Sequence, residues 1–229
     1  MIINHKYKFI FIKTQKTAGT SLEITLSALC TSKDIITPIS IEDEKIRKEF
    51  GSQGPCNYKN YYRLFNKKNF LEYLFKSKKM FFYNHISCLE VKNIIGNEMF
   101  DNYYKFCFER NPYDKVISLF YHQGGFNKWD SIEDFIKKGG LNIIKGFDQY
   151  TIGKIVAVDD IFKFEDLEDA LVSISNTLKL SESLKMPELK LKSKFRKDKR
   201  HYSEVLTQNE KKLIDIIWAR EKELLNYHF

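Results

Sequence analysis

Short apolar and aromatic runs alternate along the chain with amphipathic stretches, the pattern of an α/β domain built on a central, largely parallel sheet flanked by helices. Tyr7–Ile12 predicts a first strand, a loop of small residues follows, and Ser21–Leu29 then places Leu22, Leu26 and Leu29 on one helical face. Met80–Tyr83, Tyr103–Glu109 and Asp160–Phe164 predict a second, third and fourth strand, each ahead of a segment with helical spacing. Helices are predicted over Glu90–Met99, Pro112–His122, Ser131–Lys137, Leu167–Leu180 and Asn209–Asn226, the last with Leu213, Ile216, Ile217 and Leu224 as its buried stripe. Between the first two strands the chain leaves the sheet through a polar centre at Gly51–Pro55, flanked by helical stretches near Glu42–Phe50 and Asn69–Phe75.

Composition narrows the class without choosing a chemistry. With 229 residues, 43% hydrophobic and 30% charged, the chain reads as one globular domain, residues 1–229. A net charge of +8 favours polyanionic partners: nucleotides, nucleic acids, anionic lipids or acidic glycans. Met1–Lys13 has no apolar run of signal or anchor length, and no later stretch reaches the ~20 apolar residues of a spanning helix, so a cytoplasmic protein without a membrane anchor is expected. Cys30, Cys56, Cys88 and Cys107 form no CxxC pair, which speaks against a zinc site or a disulfide framework and for buried free thiols.

The densest chemical signal is Lys13-Thr14-Gln15-Lys16-Thr17-Ala18-Gly19-Thr20-Ser21, between a predicted strand and a predicted helix. Such a loop aims backbone N–H groups and a positive helix end at an anion, with hydroxyls and a lysine to assist. It is not a Walker A loop, because Lys16 precedes Gly19 and the hydroxyls Thr20 and Ser21 follow. A plain strand-to-helix turn, with Thr20 or Ser21 as cap, is the competing reading. A second segment, Arg110-Asn111-Pro112-Tyr113-Asp114 with Ser118, delivers an arginine at the end of the third strand and opens a helix with good N-cap and N1 residues. Arg110 there suits a phosphate, or else pairs with an acidic neighbour.

Together these two segments resemble the sulfotransferases that use 3′-phosphoadenosine 5′-phosphosulfate (PAPS), most closely the branch with Golgi carbohydrate sulfotransferases and bacterial relatives. The likeness extends to Phe162-Lys163-Phe164-Glu165-Asp166-Leu167, to the basic run Lys190–Arg200, and to the C-terminal Tyr227-His228-Phe229. It implies a P-loop-like sulfotransferase fold in which Lys16, Thr17, Ala18, Gly19, Thr20 and Ser21 hold the 5′-phosphosulfate. Arg110 and Ser118 would hold the 3′-phosphate, with Arg196 and Lys197 of the basic run as further contacts. Gln15 departs from the branch, which has proline there, and no counterpart of the branch's N-terminal membrane anchor is expected.

Lys16 is then expected to neutralise the leaving phosphate of 3′-phosphoadenosine 5′-phosphate (PAP). His85, in Tyr83-Asn84-His85-Ile86-Ser87, is the candidate base, because a neutral imidazole accepts a hydroxyl proton near neutral pH. A structural histidine at a strand end is the alternative. His5, His122, His201 and His228 lack this placement. No metal and no nucleic-acid partner are expected; the acceptor is a hydroxyl, with carbohydrate favoured by the branch and lipid, polyketide or tyrosine left open, and the oligomeric state is not readable. The competing functions are a kinase with an atypical phosphate loop, and a non-catalytic domain that binds nucleic acid or glycan through its basic surface.

Overall fold

A computed structural model describes residues 1–59, 82–186, 196 and 198–229. The protein is α/β, with a mixed central sheet and flanking helices. In chain order the principal elements are β1 (Ile2–Asn4), β2 (Phe9–Ile12), α1 (Gly19–Ser27), β3 (Ile35–Ile36), α2 (Ile41–Glu49), α3 (Cys88–Ile95), α4 (Asn97–Asn102) and β4 (Tyr104–Glu109). There follow α5 (Pro112–His122), α6 (Ile132–Lys137), β5 (Thr151–Ile152), β6 (Ile155–Val156), β7 (Asp160–Lys163), α7 (Leu167–Thr177), α8 (Tyr202–Val205), α9 (Gln208–Ile217) and α10 (Ala219–Leu225).

The expected, largely parallel sheet is instead mixed. Its strand order is β3-β1-β2-β4-β7, in which β1 runs antiparallel to both β2 and β3, while β2 and β4 are parallel. The short β1 precedes the first predicted strand, and a turn with Lys8 at φ 52° folds it back onto β2, so two of the described pairings become antiparallel. The strand predicted at Met80–Tyr83 falls partly outside the described residues, and Phe82 and Tyr83 are not in a strand. The helical stretch at Asn69–Phe75 lies wholly outside them. A small hairpin, β5-β6, turns through Gly153 and Lys154, both at positive φ, as a two-residue hairpin loop requires.

Local chemistry explains where the helices begin. Ser87 and Glu90 close a reciprocal capping box on α3, as Thr207 and Glu210 do on α9. Ser40 and Ser131 cap α2 and α6, and Asn111 Oδ1 accepts the Tyr113 N–H at 3.0 Å just ahead of Pro112. The predicted helix at Glu90–Met99 is divided at Gly96, whose φ of 83° no helix continues through.

The chain divides into two compact units that interleave in sequence: Met1–Lys13, Leu22–Cys107 and Asp148–Asp160 form one, and Thr14–Ser21, Phe108–Phe147 and Ile161–Phe229 the other. The first is centred on β1, β2 and the start of β4, where Phe9, Phe11 and Phe106 pack ring to ring. It buries Glu23 with Lys13 Nζ 2.5 Å away. Cys88 and Cys107 are buried there, but Cys30 and Cys56 are only half-buried, a correction to the expectation for all four thiols. Burial pushes the Cys30 and Cys88 thiols up to about 12.

The second unit packs Tyr113, Val116, Ile117 and Phe120 of α5 against Phe135 of α6 and against Ile214 and Trp218. Of the stripe predicted over Asn209–Asn226, Leu213 packs against this core and the other three positions are wrong. Ile216 is 75% exposed, Ile217 45% and Leu224 44%, whereas the buried positions are Glu210, Ile214, Trp218 and Glu221. The helix also breaks at Trp218, between α9 and α10.

Candidate functional site

The loop between β2 and α1 is built from its own residues. Thr14 and Thr17 share a hydroxyl-to-hydroxyl hydrogen bond of 2.9 Å, and the Thr14 hydroxyl also donates to the Phe108 carbonyl at the end of β4. Lys16 and Ala18 sit in the left-handed region at φ 64° and 54°; Gly19, by contrast, is not at positive φ and simply opens α1. Alternation of this kind turns successive N–H groups toward one concavity, the arrangement that receives anions at helix N-termini. Thr20 and Ser21 lie in the first turn of α1 and are almost fully buried. The Thr17 hydroxyl is committed to Thr14, so Thr17 offers the loop its backbone N–H and not its side chain.

Gln15, at the position where the resembled branch carries proline, is held by its side chain. Its Nε2 donates to the Ile143 carbonyl at 2.8 Å and its Oε1 accepts the Lys145 N–H at 3.4 Å. Hydrogen bonds thus replace a ring as the restraint on the loop.

Arg110 follows β4 and lies in the same unit as the loop. Its Nη1 donates to the Lys16 carbonyl at 3.1 Å, and its Nε donates to Asp114 Oδ2 at 2.7 Å, with Nη2 on the same oxygen. The guanidinium stacks on Phe164, 4.4 Å from the ring centre. The backbone beneath it is held by two carboxylates. Glu109 Oε1 accepts the Arg110 N–H at 2.9 Å, and Glu165 Oε1 accepts the Asn111 N–H at 2.8 Å. Glu109 is itself buried against Lys115, Oε1 to Nζ 2.5 Å. Ser118 lies two turns along α5 from Arg110, on the face that carries Asp114, and is half-buried. Arg196 brings its Nη1 to the other oxygen of Asp114, so two guanidinium groups meet on one carboxylate. Lys197 and residues 190–195 of the basic run lie outside the described residues.

His85 belongs to the other unit, which also contains Lys13. It stands at φ 62°, and its Nδ1 is 2.9 Å from the Lys13 carbonyl, an acceptor, which fixes the proton on Nδ1 and leaves the lone pair on Nε2. Gln149 Nε2 donates to the same carbonyl at 2.5 Å. Burial, and then the nearby charge of Lys13, push the imidazole down to about 4, so it is neutral at physiological pH. Gln149 escaped the sequence reading because a lone glutamine ahead of a short hairpin carries no signal. Asp114, Phe164 and Glu165 stood inside the quoted motifs without a role.

Among the described residues no group of three or more His, Cys, Asp or Glu side chains is gathered to hold a metal ion, and no helix is long and apolar enough to cross a membrane.

Fold and site define an α/β protein with a nest-like loop joined to an arginine at a strand end. No protein-family profile matches the chain, and no solved structure matches it. An uncharacterized protein of Archaeoglobus fulgidus is 34% identical over 99 residues, which cover 41% of this chain and 82% of the relative. The chain belongs to the family of that archaeal protein, a kinship that brings no activity with it.

Proposed function

We propose that this protein is a sulfotransferase of P-loop-like fold that transfers a sulfuryl group from PAPS to an acceptor hydroxyl, with carbohydrate as the favoured acceptor class. The observation that carries the reading is the 3.1 Å hydrogen bond from Arg110 to the Lys16 carbonyl. Within one unit it ties the arginine suited to a terminal phosphate to the loop suited to a second one, and a donor with phosphates at its 3′ and 5′ positions needs both. An ordinary nucleoside triphosphate carries no phosphate at its 3′ position.

In this reading the N–H groups of the loop, the start of α1 and Lys16 hold the 5′ end of the donor, and Arg110 and Ser118 hold the 3′-phosphate. The acceptor oxygen forms a bond to sulfur as the sulfur–oxygen bond to the 5′-phosphate breaks, and PAP leaves with its charge met by Lys16. The acceptor's proton passes to Nε2 of His85. A base this weak takes the proton late, which suits a loose transition state in which the departing group carries most of the charge.

Incubation with sulfur-35 PAPS and a host-cell extract tests the activity. Label is expected in a carbohydrate fraction with the wild-type protein and is expected to vanish with Lys16→Ala. Absence of label from every fraction refutes the reading.

A further inference from the structure

We propose that Asp114 is a positioning residue that gathers Arg110 and Arg196 into a two-guanidinium clamp before a ligand arrives, and that this same contact ties Arg196, and through it Asp198 and Arg200, to α5. The clamp's occupant is taken to be a phosphate monoester dianion; in that respect the inference rests on the donor reading above, whereas the tether does not.

Three observations converge on Asp114. Its two oxygens serve different arginines, Oδ2 taking Nε and Nη2 of Arg110 and Oδ1 taking Nη1 of Arg196. The three side chains are only 14%, 18% and 16% exposed for Arg110, Asp114 and Arg196 respectively, so their charges are poorly screened. Arg196 also holds the backbone that follows it, donating from Nε to the Asp198 carbonyl at 2.6 Å and from Nη2 to the Arg200 carbonyl at 2.7 Å. Arg196 is therefore a strut, with one end on the Asp198 and Arg200 carbonyls and the other on the helix.

Electrostatics gives the strut a consequence. Two guanidinium groups repel each other, and one carboxylate between them removes half of their charge while setting their separation and direction. A net positive charge remains to draw a dianion. Arg110 is further fixed by Phe164 and by the Lys16 carbonyl, so it does not turn away when a phosphate takes over part of Arg196. The outcome is a clamp whose orientation is settled in advance, which lowers the ordering cost of binding.

Two measurements test the proposal. Without any nucleotide, trypsin cleavage at the Arg200–His201 bond is followed for the wild type, Asp114→Asn, Arg196→Gln and the double variant. Each single variant is expected to be cut about tenfold faster and the double variant no faster than either, since all three lose one contact. Cleavage of Asp114→Asn at the wild-type rate overturns the tether; if that variant fails to fold, cleavage of Arg196→Gln at the wild-type rate does so. In calorimetry, Asp114→Asn is expected to reduce the preference for PAP over adenosine 5′-phosphate at least tenfold, with part of it restored by Asp114→Glu. An unchanged or larger preference makes Asp114 a spectator or a competitor and overturns the positioning role. A wild type that shows no preference removes the donor reading and with it the clamp's phosphate, while the trypsin series still judges the tether on its own.

Discussion

Replacing His85 by asparagine isolates the energetics of a half-buried neutral imidazole. Asparagine tolerates the left-handed backbone that His85 adopts at φ 62°, and its Nδ2 can keep the donor to the Lys13 carbonyl. The ordinary histidine value is 6.5, and burial lowers it here to about 4. Below pH 6.5 the unfolded chain takes up a proton that the folded ring refuses, so the unfolded state binds more protons and stability falls as pH drops toward about 4. Between about pH 7.5 and about pH 5, linkage between these two values amounts to a loss of about 2 kcal/mol from this one residue. Urea unfolding of both proteins at both pH values measures it. The wild type is expected to lose about 2 kcal/mol more than His85→Asn over that interval. Equal losses would mean that His85 titrates as an exposed histidine, and its assignment as a neutral base would fall with that result.

Other perturbations probe the rest of the site. Transfer activity limited by His85 is expected to stay level from about pH 8 down to about pH 6, read from a pH–rate profile, where an ordinary histidine would already halve it near 6.5. Ala18→Gly relieves a left-handed alanine and is expected to stabilise the fold by about 0.5–1 kcal/mol in urea unfolding, with the loop's anion affinity kept. Lys115→Met strands the Glu109 carboxylate in the interior and is expected to cost about 3–5 kcal/mol, most of it recovered when Glu109→Gln is added.

Much of the fold was legible because its signals are local. Asn111-Pro112 marks the start of α5, Ser131 the start of α6, and the strand-loop-helix around Lys16 is found where the pattern of small residues puts it. What misled is equally specific. The Asn209–Asn226 stripe was read from apolar residues alone, yet the buried face runs Glu210, Ile214, Trp218, Glu221. Glu210 accepts backbone N–H groups with both oxygens, from Glu133 at 3.0 Å and Thr207 at 2.8 Å, and Glu221 accepts one, from Phe147 at 2.8 Å, while its Oε2 is buried without a partner. Hydrophobicity does not register a carboxylate held by backbone N–H groups, as Glu210 is. The antiparallel β1 and β3 escaped because elements of three and two residues fall below any periodicity.

In the candidate site the charged residues were visible and their partners were not. Arg110 was named as either a phosphate ligand or the partner of an acidic neighbour; in the structure it is bound to Asp114 while the guanidinium also reaches Lys16. The Thr17 hydroxyl looked like a ligand donor by composition and is spent on Thr14. Long-range contacts such as Phe164 on Arg110 depend on tertiary packing, which motif spacing does not encode.

Calorimetric titration of the wild-type protein and Arg110→Ala with PAP and with adenosine 5′-phosphate tests the central claim most directly, because it requires no acceptor. The 3′-phosphate is the only difference between the two nucleotides, and a charge-assisted arginine contact corresponds to at least tenfold in affinity. PAP is expected to bind the wild type at least tenfold more tightly than adenosine 5′-phosphate, and Arg110→Ala to lose most of that preference; equal binding of the two nucleotides by the wild type would contradict the account.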